Sequence, residues 1–306
     1  MNKNVIVTGA TGFIGSYLVK ELLQNQYEVY AIVRNAEKMA KMVSGQGLHL
    51  IETDLEHFSK DDLPNYQFDT FFHLGWSGVN REEIDDVTIH QSNYELGMKC
   101  LKIAGSIGCR CFIDAGSKAE YGTKCEEQRE DAVCCPDTAY GKEKLHFYQD
   151  ALVFCKENGI RYLHARLFSV IGIGDHPWSL ISTACSTFLR NTALHLGPCT
   201  QKWNFTSVED VVRGLRFLCE CTIDLEERDN HIYNIASKDT RVLRDFVEEI
   251  HNLCNSCSGI CYATDAKTNG CMNPMSDKIR RLTGWEETLS FEDSIKCILH
   301  QANSYS

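Results

Sequence analysis

The 306-residue sequence predicts an α/β fold: a doubly wound parallel β-sheet with helices on both faces and a smaller C-terminal region beside it. Three observations predict it. Over the first 165 residues, short β-rich runs alternate with helical stretches, the pattern of parallel strands joined by crossover helices. A glycine-rich turn follows the first run and opens the first helix. Beyond Ile171 the alternation loosens, so the later chain is expected to cross between the sheet and a smaller cap.

In chain order the strands are NVIVTG (4–9), EVYAIV (28–33), LHLIET (48–53), TFFHLG (70–75), RCFIDAG (110–116) and RYLHARL (161–167). Each is a short run rich in β-branched, aromatic or other apolar residues. Helical stretches lie near 13–25, 35–43, 81–106 and 139–158. After the loop GIGDHPWS come a helix near 179–191, a short strand and helix in WNFTSVEDVVRGLRFLCE, a strand in HIYNIAS and a helix over 241–254. The last 50 residues are mixed. The first unit is drawn at 1–170, with later contributions from about 206–250, and 171–306 forms mainly the second region. No repeat of solenoid length and no low-complexity linker appears.

The net charge of -11 and pI near 5.5 argue against a nucleic-acid partner, because phosphate binding wants a basic face. They leave room for a small anion held by local cations and amides. No apolar run reaches the length of a membrane span. The opening MNKNVIVTGA enters a strand at once and lacks the apolar core of a secretory signal, so a cytoplasmic protein is expected. Of the sixteen cysteines, Cys100, Cys155, Cys219 and Cys297 sit at helical apolar positions and read as small buried residues. Cys254, Cys257, Cys261 and Cys271 have a spacing compatible with zinc or an iron–sulfur cluster. Cysteine is scattered along the whole chain, however, and a reducing compartment accounts for it, so no metal is expected.

The turn VTGATGFIGSYL places Gly9, Gly12 and Gly15 between strand and helix. There, glycines allow a tight turn, close approach of backbone to a pyrophosphate, and close helix–sheet packing, while the helix N-terminus offers amides to the anion. After the second strand a carboxylate would select NAD through the ribose 2′-hydroxyl. The sequence has Arg34 instead, with Lys38 one turn later. A guanidinium can grip a 2′-phosphate through two parallel hydrogen bonds, which favours NADP(H) and keeps NAD(H) second. Asp54, ending the third strand, either hydrogen-bonds an adenine amino group or caps the turn.

TGATGFIG, HLGW, GSKAEYG, YGKEK and ARLFSVIG occur in the order and spacing of the extended short-chain dehydrogenase/reductases, and the resemblance covers nearly the whole chain. Within that superfamily the sequence looks most like the nucleotide-sugar epimerases, dehydratases and 4-ketoreductases. The resemblance implies a Rossmann-type NAD(P)-binding unit, and a homodimer formed by helices near 82–106 and 141–158. It assigns Ser117, Tyr140 and Lys144 to the catalytic serine and the Y-x-x-x-K pair, and Asn93 to the asparagine that completes the tetrad. It places Thr11, Phe13, Ile14, Leu55 and Leu74 around the cofactor with the three glycines, Tyr140 and Lys144.

The residues agree with those roles. Tyr140 and Lys144 are four apart on one helix face, so both can point at one ligand. A nearby ammonium, helped by a positive nicotinamide ring, is expected to lower the tyrosine pKa toward acid/base work near neutral pH. Ser117 can hydrogen-bond the reacting oxygen. His73 reads as structural. His176 falls in the expected substrate loop. Trp203 can stack on a base, and Lys202 either reaches a diphosphate or is a solvated charge.

The chain departs from the family at Ser169, where asparagine is frequent, at Gly172-Ile173, where Gly-Pro is frequent, and at Trp203, where many relatives carry arginine. These departures bear on the substrate. The expected activity is NADPH-dependent reduction of a nucleotide-diphosphate 4-keto-6-deoxy sugar. Its rivals are a 4-epimerase with retained NAD, a small-ketone reductase, and a non-catalytic NADP-binding protein. A 4,6-dehydratase is disfavoured because DAGSKAEYG lacks a Thr-Asp-Glu run.

Overall fold

In the computed structural model, residues 3–123, 126–221, 231–264 and 270–304 are described. Parts of two expected stretches, 222–230 and 265–269, lie outside the described residues. The strands β1 (Asn4–Thr8), β2 (Glu28–Val33), β3 (Leu48–Glu52), β4 (Thr70–His73), β5 (Cys111–Ser117) and β6 (Arg161–Leu167) alternate with the helices α1 (Phe13–Gln24), α2 (Ala36–Met42), α3 (Val87–Ser106) and α4 (Ala139–Asn158). Then follow β7 (Ser169–Ile171), α5 (Leu180–Leu189), β8 (Leu194–Leu196), β9 (Lys202–Ser207), α6 (Val208–Glu220) and β10 (Ile232–Ile235). The chain continues through β11 (Thr240–Val242), α7 (Leu243–Leu253), β12 (Ile260–Tyr262), α8 (Asp277–Thr283) and α9 (Phe291–Ser304).

Among the described residues the main sheet has seven strands in the order β10-β6-β5-β4-β1-β2-β3, all parallel. The order reverses at β1, and the crevice outside the carboxyl ends of β1 and β4 is where a doubly wound sheet takes its ligand. Every residue of β1 is buried, because helices cover both faces of the sheet. On one face, Leu18, Val19 and Leu22 of α1 meet Val211, Leu215 and Leu218 of α6. On the other, Cys100, Leu101 and Ala104 of α3 meet Phe147, Ala151 and Cys155 of α4. Burying each larger apolar side chain contributes about 1.5–3 kcal/mol.

Caps set the helix limits. Thr138 accepts the Gly141 amide at 3.1 Å to start α4, and Gly159 ends it at φ 66°. The Asp86 side chain accepts the amides of Thr88 and Ile89, so α3 begins at Val87 rather than near 81. The later chain forms β11-β9-β7 and the pair β8-β12, packed around Phe188, Phe205, Phe246 and Phe291.

Cys100 and Cys155 are buried as expected, Cys219 is half-buried, and Cys297 is exposed on α9, against expectation. Cys254 is half-buried beside the core that contains Cys185. Cys257 and Cys261 are exposed, while Cys271 is buried. No metal-binding cluster of His, Cys, Asp and Glu occurs among the described residues. Nor is any helix there long and apolar enough to cross a membrane.

Candidate active site

The glycine turn sits where β1 enters α1. Gly9 has φ +69°, and a Cβ on it would lie 2.6 Å from the Leu74 carbonyl. A Cβ on Gly15 would lie 2.1 Å from the Gly9 oxygen, so that glycine lets helix and turn touch. Gly12 is the N-cap of α1, with no side-chain cap bond and no acidic residue in the first turn. The first amides of α1 and the positive end of its dipole are therefore available to an anion.

That turn borders a cleft of about 1300 Å³. Its lining includes Gly9, Thr11, Gly12 and Phe13 of the turn, Arg34 and Lys38 after β2, Asp54 and Leu55 after β3, Leu74, Trp76 and Ser77 after β4, Asn93 of α3, and His176. Ile14 and Gly15 do not line the cleft, nor do Ser117, Tyr140, Lys144, Lys202 and Trp203. Ile14 packs against the apolar core and Gly15 against Gly9. The open helix end, the glycine cradle and the cleft together fit a dinucleotide.

Arg34 is exposed at the end of β2. The nearby carboxylate, Glu52 at the end of β3, accepts the Ala36 amide at 3.2 Å. Asp54 caps its own turn: Oδ1 accepts the His57 amide at 2.8 Å and meets His57 Nδ1 at 2.7 Å. The His57 amide and ring bonds hold its carboxyl below the usual range.

Ser117 is the last residue of β5 and caps the short turn Lys118–Tyr121, its Oγ accepting the Ala119 amide at 3.1 Å. Tyr140, in the first turn of α4, lies close enough to the Ser117 side chain for that hydroxyl to act on its titration. Lys144 Nζ donates to the Ala115 carbonyl at 2.8 Å and stands 3.8 Å from the Trp76 ring centroid. The fold thus gathers the three residues at the C-terminal end of β5.

The protein by itself sets their charge states. Burial pushes Tyr140 up to about 12, with the Ser117 hydroxyl acting downward and the Glu120 and Asp114 charges upward. Burial brings Lys144 down to about 8, against the pull of Asp114 and Glu120. The protein alone therefore keeps the phenol protonated, because Tyr140 is half-buried within reach of two carboxylates and the ammonium is held on the Ala115 carbonyl.

Asn93 is a clamp. Its Oδ1 accepts Ser77 N at 3.0 Å and Ser77 Oγ at 3.1 Å, and its Nδ2 donates to the Ser77 carbonyl at 3.0 Å. These bonds tie α3 to the loop after β4. His73 is buried, with Nδ1 2.9 Å from Thr8 Oγ1, and burial drives its pKa down to about 3, so it is neutral. His176 stacks on Trp178 at 4.5 Å. Trp203 Nε1 donates to Ser169 Oγ at 3.1 Å, pairing two of the departures from the family pattern. Lys202 is exposed on β9.

Beneath Ser117 lies a charge network that spacing did not reveal. Glu120 Oε1 accepts the Ser117 amide at 2.7 Å; its Oε2 meets His164 Nε2 at 2.8 Å and accepts Arg166 Nε at 2.6 Å. His164 Nδ1 lies 3.0 Å from both Asp114 oxygens. Asp114, Glu120 and His164 are fully buried. A Cβ on Gly116 would sit 2.5 Å from His164 Nε2, so that glycine makes the room. One signal was available: polar residues in central strands, Asp114 in RCFIDAG and His164 and Arg166 in RYLHARL, require buried partners.

A family profile described as NAD dependent epimerase/dehydratase family matches residues 5–236. The chain is 26% identical over 265 residues to dTDP-6-deoxy-L-talose 4-dehydrogenase (NAD(+)) of Aggregatibacter actinomycetemcomitans, covering 82% of this chain and 91% of that one. It is 22% identical over 320 residues to a trifunctional UDP-glucose 4,6-dehydratase/UDP-4-keto-6-deoxy-D-glucose 3,5-epimerase/UDP-4-keto-L-rhamnose-reductase of Arabidopsis thaliana. That match takes in 96% of this chain but only 46% of the longer plant protein. The fold is similar to that of UDP-glucose 4-epimerase from Thermotoga maritima, solved with UDP-glucose, at a TM-score of 0.87 and 19% identity over 99% of both chains. The chain belongs to the NAD dependent epimerase/dehydratase family. It is a nicotinamide-dependent enzyme of the extended short-chain dehydrogenase/reductase type, as the sequence motifs imply.

Proposed function

We propose that this family member is an NADP(H)-dependent reductase acting at the 4-position of a nucleotide-diphosphate sugar, with a 4-keto-6-deoxy sugar as substrate. The observation that carries this reading is Arg34, with Lys38, lining the cleft where β2 ends. No carboxylate of β2 stands there to favour an unphosphorylated ribose, and net reduction calls on an exchanging NADPH pool.

A nicotinamide held in the cleft would supply the hydride. The chain supplies the rest. Tyr140, protonated at neutral pH, donates the proton to the developing alkoxide. Ser117, close to Tyr140, holds the carbonyl oxygen. Lys144 places a cation near the phenolate left behind and can bind ribose hydroxyls. The α1 amides take the pyrophosphate. Asn93 keeps the Ser77 loop against the cleft and so acts through position. His176, Lys202 and Trp203 are assigned to the substrate side.

The second reading is a 4-epimerase with retained NAD. It uses the same three residues, and the fold shared with UDP-glucose 4-epimerase favours it. Thermal-shift measurements with NAD, NADP and UDP-, CDP-, GDP- and dTDP-sugars decide between them, since a specific binder raises apparent stability by mass action. A larger shift with NADP than NAD, and turnover of a 4-keto sugar with NADPH, support the reductase. A larger shift with NAD supports the epimerase, and no shift with any nucleotide sugar defeats both. We further assign the enzyme to the cytoplasm as a homodimer through α3 and α4; a monomeric mass in solution would refute the dimer.

A further inference from the structure

We propose that His164 is a positioning residue that stands as an imidazolium between Asp114 and Glu120 and so fixes Ser117. This rests on the reading of Ser117, Tyr140 and Lys144 as the catalytic set, but not on the identity of the sugar.

The geometry favours a cation at this point. Both ring nitrogens of His164 face carboxylate oxygens, at 3.0 Å on the Asp114 side and 2.8 Å on the Glu120 side. A neutral imidazole has only one N–H, so one nitrogen would present a lone pair to a buried carboxylate. Without that cation, Arg166 would be the one direct ionic partner of the two carboxylates among the described residues, and it reaches Glu120 rather than Asp114. Removing one partner of a buried ion pair is strongly unfavourable.

The surroundings of His164 are fully specified. From β5 comes Asp114, and from the turn after it Glu120. On β6, Tyr162 Oη lies 3.4 Å from Nδ1, and Arg166 shares Glu120. From α4, the Tyr148 ring stands 4.6 Å away, and Lys144 lies within electrostatic reach of Asp114 and Glu120. Cys134 is engaged by Arg166 Nη2 at 3.1 Å. Burial disfavours the charged ring, yet Asp114 and Glu120 override burial and lift its pKa to about 9.

Two consequences reach the catalytic groups. The first is positional. Glu120 grips the Ser117 amide with Oε1 while His164 and Arg166 hold Oε2, so the carboxylate cannot rotate away. The second is electrostatic. Asp114 and Glu120 both push Tyr140 and Lys144 toward their protonated forms. The His164 charge offsets these carboxylates, and its loss would move both titrations upward.

The test uses the full-length protein and no sugar substrate. In wild type, ¹⁵N-histidine spectra at neutral pH should show both His164 nitrogens protonated, with assignment by through-bond correlation to the His164 backbone. In His164→Gln, the Lys144 titration, followed by ¹³Cε-lysine signals and assigned with Lys144→Met, should move up by about one unit. A merely structural role would leave that titration unmoved in the folded variant. A neutral His164 in wild type overturns the proposal even if the variant does not fold, and an unmoved Lys144 titration overturns it if it does. Failure of these spectra leaves the reductase reading intact, and failure to bind nucleotide sugars leaves these spectra unaffected.

Discussion

Replacing Arg34 with alanine removes the guanidinium at the end of β2 and leaves Lys38 as the nearby cation lining that part of the cleft. Hydrogen bonds to a charged partner contribute about 1.5–3 kcal/mol. Arg34 is exposed to solvent, which weakens its interaction and favours the lower part of that range. A loss of about 1.5–2 kcal/mol corresponds to roughly a 10- to 30-fold weaker NADPH affinity. Lys38 should retain part of the attraction, worth about 0.2–1 kcal/mol for an exposed pair. NADH lacks the 2′-phosphate, so its affinity should be little changed. Calorimetric titration of wild type and Arg34→Ala with each cofactor measures the four constants. Equal effects on NADPH and NADH, or no effect on NADPH, would refute the assignment of Arg34 to the 2′-phosphate.

Tyr140→Phe removes the proton donor and should lower turnover by roughly 10²–10⁴-fold with NADPH binding intact; loss of binding in the same variant would mark Tyr140 as structural. Gly15→Ala puts a methyl against the Gly9 backbone, where overpacking costs about 1–3 kcal/mol, and the melting temperature should fall by several degrees; an unchanged melting temperature would contradict the close contact. Stability should depend on pH through His164 and Glu120. The folded His164 pKa of about 9 lies above its unfolded value of about 6.5, so its contribution is complete below the latter and declines as pH rises. Lys144, lowered to about 8, acts in the opposite sense at higher pH, so the decline is read between about pH 6.5 and 8. Burial would raise the Glu120 carboxyl, but the charges of His164 and Arg166 hold it at about 2; its contribution is complete above about pH 4.3 and is lost as pH falls through the folded value. Denaturation midpoints across this range that stay flat from about pH 6.5 to 8 and fall in His164→Gln only to the same plateau would contradict the His164 charge.

The first six strands and the Gly9–Gly15 turn were legible because each is a local pattern: a buried run, or glycines at fixed spacing beside it. Ser117, Tyr140 and Lys144 were legible as a set because their motifs occur in a fixed order. The limit of α3 was misplaced because an apolar period says little about its first turn, whereas the Asp86 cap decides it. The roles of Ile14 and Gly15 could not be separated from those of Gly9 and Gly12, since packing and ligand contact demand similar residues in one turn. Cys297 was misread because a helical position alone does not say which face is covered. The protein's own charges around Tyr140 were not legible for a different reason: they come from Asp114 and Glu120, which lie on β5 and the turn after it. Asp114 and His164 are 50 residues apart and meet only when β5 pairs with β6.

The strand beside β6 comes from residue 232 onward, after the chain has passed through β7 and β9, and it pairs Ile232 with His164 and Ile235 with Leu167. A fragment ending near residue 170 would therefore lack β10. Its outermost strand would be RYLHARL, buried at six of seven positions in the intact protein, with a free row of amides and carbonyls along one side. Such an uncovered strand edge is a template for another copy. The nucleotide-binding half cut out alone would thus be prone to self-association, and a soluble cofactor-binding fragment requires the return strand as well as the glycine turn.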